Sequence, residues 1–213
     1  MKNIEIKSPL ADRPGTEERL RSLGAELEWT RRQVDTFYHS PSGWLKLREV
    51  EGCPAELISY RRSVENSGPR ESDYHILRID EPSELHSVLE SSLGILGRVE
   101  KQSALWIYRN TRVHLDRVEG LGDFLELETV LVDIDSAEGT AESEEVINLL
   151  ELDRESFISV PYLELLREPC DRFNTKKPPV LTGSREPRRY NDDPVRQFSL
   201  PHDRVLPLYP EVP

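Results

Sequence analysis

The sequence predicts a β-rich α+β fold whose strands form a closed antiparallel sheet. Three observations carry this expectation. Eight segments alternate apolar and polar residues with period two, only a few stretches between them show helical spacing, and strand after strand pairs an apolar face with a charged one.

The elements follow in order. Residues 2–8 contain NIEIK, in which Ile4 and Ile6 point one way and Asn3, Glu5 and Lys7 the other. TEERLRSLGAEL then places Leu20 and Leu23 at helical spacing, with Gly24 as a stop. Strands are expected at 27–38, 43–50, 55–62 and 72–79. EPSELHSVLESSLG predicts a helix that starts at Pro82 or Ser83 and stops at Gly94. Three more strands, at 98–108, 110–118 and 123–133, precede a helix over 136–150 whose apolar residues are Val146, Ile147, Leu149 and Leu150. A short helix at PYLELLRE closes the body.

A chain of 213 residues suits one domain with an appendage. From Glu168 onward there are 8 Lys+Arg, 7 Asp+Glu and 9 of the 16 prolines, with no sustained period. Such a segment buries too little apolar surface to offset its ordering entropy, so 168–213 reads as a disordered or loosely draped tail. The folded body is 1–167, and it holds the acidity, with 20 Lys+Arg against 33 Asp+Glu. A net charge of −12 argues against a general nucleic-acid or anionic-membrane binder, which needs a broad positive field. Cys53 and Cys170 lie far apart without metal-ligand spacing, as expected in a reducing compartment. Lys2, Glu5 and Lys7 enter before any long apolar run, and no stretch nears the ~20 apolar residues of a membrane helix. The expected location is the cytoplasm.

The charged strand faces carry the chemistry. WLKLRE sets Lys46 and Arg48 opposite Leu45 and Leu47. TRVHLD sets Arg112, His114 and Asp116 opposite Val113 and Leu115, and FLELE sets Glu126 and Glu128 opposite Leu125 and Leu127. One reading is an ordinary sheet with a solvated side. The other closes the sheet with its charges inward, and such a lumen is costly to desolvate unless something charged fills it. Cations would then hold a polyanion, and grouped carboxylates a hard cation such as Mg²⁺ or Mn²⁺. The sequence has no GxxxxGK loop, HExxH, CxxC or GxSxG elbow. His114 reads first as a structural strand histidine.

NIEIK, VDTFY, WLKLRE, AELISYRR, TRVHLDRVEGLGDFLELE and SVPYLELL, in that order over residues 2 to about 167, resemble the CYTH superfamily. These proteins, also called triphosphate tunnel metalloenzymes, include class IV adenylyl cyclases and thiamine triphosphatases. The resemblance implies an eight-stranded antiparallel β-barrel tunnel with helices packed outside. It matches Glu5 and Lys7 to the family's ExExK signature, as catalytic residues that hold metal and phosphate respectively, and leaves Asn3 where the family has its first Glu. It further implies phosphate contacts from Lys46, Arg48, Arg62, Arg70, Lys101 and Arg112, and puts Tyr60 near the position of a lysine found in many members. Asp116, Glu126 and Glu128 would complete a Mg²⁺ or Mn²⁺ site with Glu5. The implied partner is a triphosphate-containing small molecule, with no nucleic acid and no membrane. Three activities follow: hydrolysis of a triphosphate, cyclisation of ATP to cyclic AMP and pyrophosphate, or, given Asn3, binding without turnover.

Overall fold

The computed structural model of the chain describes residues 2–62 and 69–167, with Arg62 and Arg70 placed by backbone alone. Its strands are β1 (Lys2–Pro9), β2 (Glu26–Tyr38), β3 (Trp44–Val50), β4 (Ala55–Arg62), β5 (Arg70–Ile79), β6 (Ile95–Tyr108), β7 (Thr111–Val118) and β8 (Gly122–Val130). They run antiparallel in the order β1-β5-β4-β3-β2-β6-β7-β8 and close through β1 against β8, so the sheet is a barrel. Closure settles which side each strand face takes: Ile4, Ile6, Leu115, Leu125 and Leu127 face out, and the charged residues between them face in.

The helices are α1 (Arg13–Ser22), α2 (Pro82–Leu93), α3 (Ser136–Leu149) and α4 (Tyr162–Arg167). α1 begins three residues before TEERL because the Asp12 side chain accepts from Gly15 N at 3.0 Å and Pro14 sits in the first turn. α3 starts on a capping box between Asp135 and Glu138. Its Val146 and Ile147, with Leu20 of α1, cover Ile6, Val113, Leu115, Leu125 and Leu127. Leu115, Leu125 and Leu127 are 0% exposed, each worth about 1.5–3 kcal/mol of burial. Leu85 and Leu89 of α2 pack on Tyr38, Leu47 and Ala55.

α4 has a different place. Its Tyr162 and Leu163 pack against inward-facing Phe37, Val99 and Phe124, which closes one end of the barrel with an apolar layer. Gly97 permits this approach, since a Cβ there would lie 2.5 Å from Leu163 Cδ1. β6 starts at Ile95, directly after Gly94 ends α2 at φ 74°, so no linker separates helix from strand. β8 ends at Val130, earlier than expected, where the chain turns toward the α3 cap. No helix among the described residues is long and apolar enough to cross a membrane. The tail expected over 168–213 lies outside the described residues.

Candidate active site in the barrel lumen

Strand alternation and register together decide which charges meet. Between β1 and β8, Lys7 stands opposite Glu126 and Glu5 opposite Glu128. Between β2 and β3, Asp35 stands opposite Arg48. Lys46 lies two residues from Arg48 on the same face, and Lys101 projects inward from β6. These side chains line one cavity of about 60 Å³, with Tyr60 and Tyr162 among its walls.

Cations and carboxylates pair across it. Lys7 Nζ is 3.0 Å from Glu126 Oε1, donates to Val160 O at 3.1 Å and sits 4.0 Å from the Tyr162 ring centroid. Lys46 Nζ donates to Asp35 Oδ2 at 2.6 Å, and Arg48 Nε to Asp35 Oδ1 at 3.2 Å. Lys101 Nζ donates to Asp116 Oδ2 at 2.6 Å and lies 3.8 Å from Glu126 Oε2. The Tyr162 hydroxyl also donates to Asp116 Oδ2, at 3.1 Å.

The protonation states follow from these neighbours. Burial pushes the Asp35 carboxyl up, but Lys46, Arg48 and Lys101 together hold it well below the usual carboxylate range. Burial likewise opposes ionisation of Glu126, and Lys7 and Lys101 overcome it. Burial, with Arg48 beside it, lowers the Lys46 ammonium from 10.5 to about 8 against the pull of Asp35. Lys101 is raised: burial lowers it, and Asp116 and Glu126 more than compensate. The lumen at neutral pH is therefore a set of paired ions. His114, lowered by burial though Glu128 pulls the other way, stays neutral with Nδ1 3.4 Å from Ser103 Oγ.

Of the sequence-predicted residues, Glu5, Lys7, Lys46, Arg48, Lys101, Glu126 and Glu128 share the cavity wall. Asp116 does not: it is 0% exposed and lies behind the wall, bound to Lys101 and Tyr162. Arg112 also stands apart, opposite Glu128 in the β7–β8 register. Arg70 is opposite Glu5 and Arg62 opposite Ser72 by backbone register, their side chains outside the description. Three inward-facing polar groups carried no expectation from the sequence: Asp35, Gln33 and Glu56. Each sits in a segment already read as a strand, where alternation would have placed it inside.

The donor chemistry fits a hard divalent ion. Glu5, Glu126 and Glu128 offer carboxylate oxygens. Asn3, 5% exposed and two residues before Glu5 on the same face, has a buried Oδ1 with no hydrogen-bond partner among the described residues. Among the described residues, no three His, Cys, Asp or Glu side chains are gathered closely enough to hold an ion alone. Remaining ligands would have to come from a guest or from water.

A closed eight-stranded antiparallel barrel with an ionic lumen defines a tunnel-barrel protein. The chain belongs to the CYTH domain family, which matches residues 1–162. It is 23% identical over 175 residues to a Methanocaldococcus jannaschii protein named a "putative adenylate cyclase", covering 78% of this chain and 98% of that one. Its fold is similar to that of the PH1012 protein from Pyrococcus horikoshii, with a TM-score of 0.69, 21% identity, and 78% and 99% of the two chains covered. It also resembles HpAC1 from Hippeastrum, a "putative adenylyl cyclase" described as having "a dominant" triphosphatase activity. There the TM-score is 0.52 at 17% identity, with 78% and 95% covered. At these identities the property shared with the solved structures is the fold.

Proposed function

We propose that the chain is a divalent-metal-dependent triphosphatase that hydrolyses a triphosphate compound inside the barrel. The observation that carries this reading is the convergence of Lys7, Lys46, Arg48 and Lys101 with Glu5, Glu126 and Glu128 on one cavity. A triphosphate brings about four negative charges at neutral pH, and four cations, three buried and Arg48 half-buried, match them at close range. Each of these cations already has a carboxylate nearby, so the guest exchanges one anionic partner for another rather than entering bare charge.

Lys46, Arg48 and Lys101 bind and orient the phosphate chain, and Arg112 extends the basic wall beyond it. Lys7, held by Glu126, the Val160 carbonyl and the Tyr162 ring, directs its charge at phosphoryl oxygens. Asp116 works from behind by fixing Lys101 and the Tyr162 hydroxyl. α4 excludes water from its end of the tunnel. Glu5, Glu126 and Glu128 would hold Mg²⁺ or Mn²⁺, which when bound would neutralise phosphate charge. Water then displaces diphosphate from the terminal phosphorus in line, with positioning and electrostatics supplying most of the rate. The acidic chain and the free thiol of Cys53 suit a reducing cytoplasm.

The test is incubation of the purified chain with tripolyphosphate, thiamine triphosphate or ATP and either metal, following phosphate, pyrophosphate and cyclic AMP. Phosphate release without cyclic AMP is expected. Pyrophosphate with cyclic AMP would assign the cyclase reaction instead, and tight binding with no turnover would make the chain a binding module, the alternative that Asn3 motivates.

A further inference from the structure

Asp35 is a lumen carboxylate that neither the proposed metal set nor the phosphate contacts employ. It is 6% exposed and lines the cavity. Three donors meet on it: Lys46 Nζ at 2.6 Å on Oδ2, and on Oδ1 both Arg48 Nε at 3.2 Å and Gln33 Nε2 at 2.9 Å. Lys46 and Arg48 bring two positive charges, and Asp35 cancels one of them. The remaining net charge is what an arriving phosphoryl group meets at this wall.

We propose that Asp35 is a charge-setting residue of the tunnel, holding Lys46 and Arg48 in position while limiting their attraction so that phosphate products leave. This rests on the triphosphatase reading of the same site. A phosphate oxygen that reaches Lys46 must displace the Asp35 carboxylate or sit beside a like charge at contact distance, where repulsion in a partly dry lumen is strong. A triphosphate offsets that cost by engaging Lys7 and Lys101 as well. Pyrophosphate, with one phosphoryl group fewer, recovers less and is released. Asp35 thereby weakens every anion at this wall, and the shorter product most.

The sign of the effect separates this role from a purely structural one. Asp35→Asn keeps the shape and one acceptor oxygen but removes the charge. A residue that only positions Lys46 and Arg48 would weaken phosphate binding when changed, whereas a charge-setting residue strengthens it. The experiment uses the full chain as wild type, Asp35→Asn, Lys46→Met and the double variant. Tripolyphosphate and pyrophosphate binding with Mg²⁺ are measured by calorimetry, and pyrophosphate inhibition of tripolyphosphate hydrolysis by steady-state kinetics. Asp35→Asn is expected to bind pyrophosphate about tenfold more tightly, with lower kcat and no rise in KM. Unchanged or weaker pyrophosphate binding overturns the proposal. Should Asp35→Asn not fold, the pair change removes both partners and is gentler on the core. The double variant must then bind pyrophosphate more tightly than Lys46→Met, and equal or weaker binding again overturns the proposal. Wild type that binds and hydrolyses none of the polyphosphates refutes the triphosphatase reading itself, a result distinct from a wrong-signed Asp35→Asn.

Discussion

Lys101→Met tests whether the lumen is held together by its ion pairs. Lys101 Nζ lies 2.6 Å from Asp116 Oδ2, and the two side chains are 5% and 0% exposed, so solvent screens little of their attraction. Methionine preserves the aliphatic stem and deletes the charge, leaving the Asp116 carboxyl with the Tyr162 hydroxyl, 3.1 Å away, as its remaining donor among the described residues. Breaking a buried pair from one side costs roughly 3–5 kcal/mol, because the surviving charge stays desolvated. For a folded body of this size that is a fall of about 6–20 °C in Tm. Lys101→Met/Asp116→Leu removes both charges and should recover to within about 1–2 kcal/mol of wild type. The assay is urea denaturation of wild type, both single variants and the double, read as a double-mutant cycle. A Lys101→Met loss under about 1 kcal/mol, or a coupling near zero, would show that the ion pairs do not hold the lumen together.

The pH dependence of binding follows from Lys46. Its folded value is lowered from 10.5 to about 8, so raising pH through about 8 strips its charge and triphosphate affinity falls, by at most about tenfold per pH unit for one proton. Over the same window the unfolded chain binds more protons than the folded one, so this group makes the ligand-free protein more stable as pH rises. Calorimetric titrations from pH 7 to 10 should show the affinity slope, and Lys46→Arg should flatten it; an equal slope in both would assign it elsewhere. Glu126→Gln should abolish metal-dependent turnover and weaken Mn²⁺ binding, read by electron paramagnetic resonance, while circular dichroism stays native; retained activity would remove the proposed metal set. A chain ending at residue 168 should keep wild-type turnover, and its loss would show that the tail contributes to the site.

Much of this architecture is legible in the sequence because β alternation is a local property. Ile4 and Ile6 against Glu5 and Lys7 already tell which residues share a face, and the same holds for Leu125 and Leu127 against Glu126 and Glu128. Closure is less legible. The pairing of β1 with β5, across some seventy residues, is set by tertiary register and leaves no local trace. Depth is hidden as well. Arg112, His114 and Asp116 share the inner face of β7, yet at about 3.3 Å per residue they span roughly 13 Å, more than one small cavity reaches. Asp116 therefore ends behind the wall while Glu126 stays on it. Asp35 and Glu56 escaped notice for another reason: their inner faces mix charge with the aromatic or aliphatic residues Phe37 and Ile58, so the strand lacks a uniformly charged side.

We propose that the lumen takes a triphosphate together with a divalent ion. A crystal structure of the chain with Mn²⁺ and a non-hydrolysable triphosphate analogue, with anomalous data, tests it most directly. Phosphate density is expected against Lys46, Arg48 and Lys101, with an anomalous peak within ligand distance of Glu5, Glu126 or Glu128. An empty lumen with intact Lys46–Asp35 and Lys7–Glu126 pairs, or the analogue bound on the outer face, would contradict it.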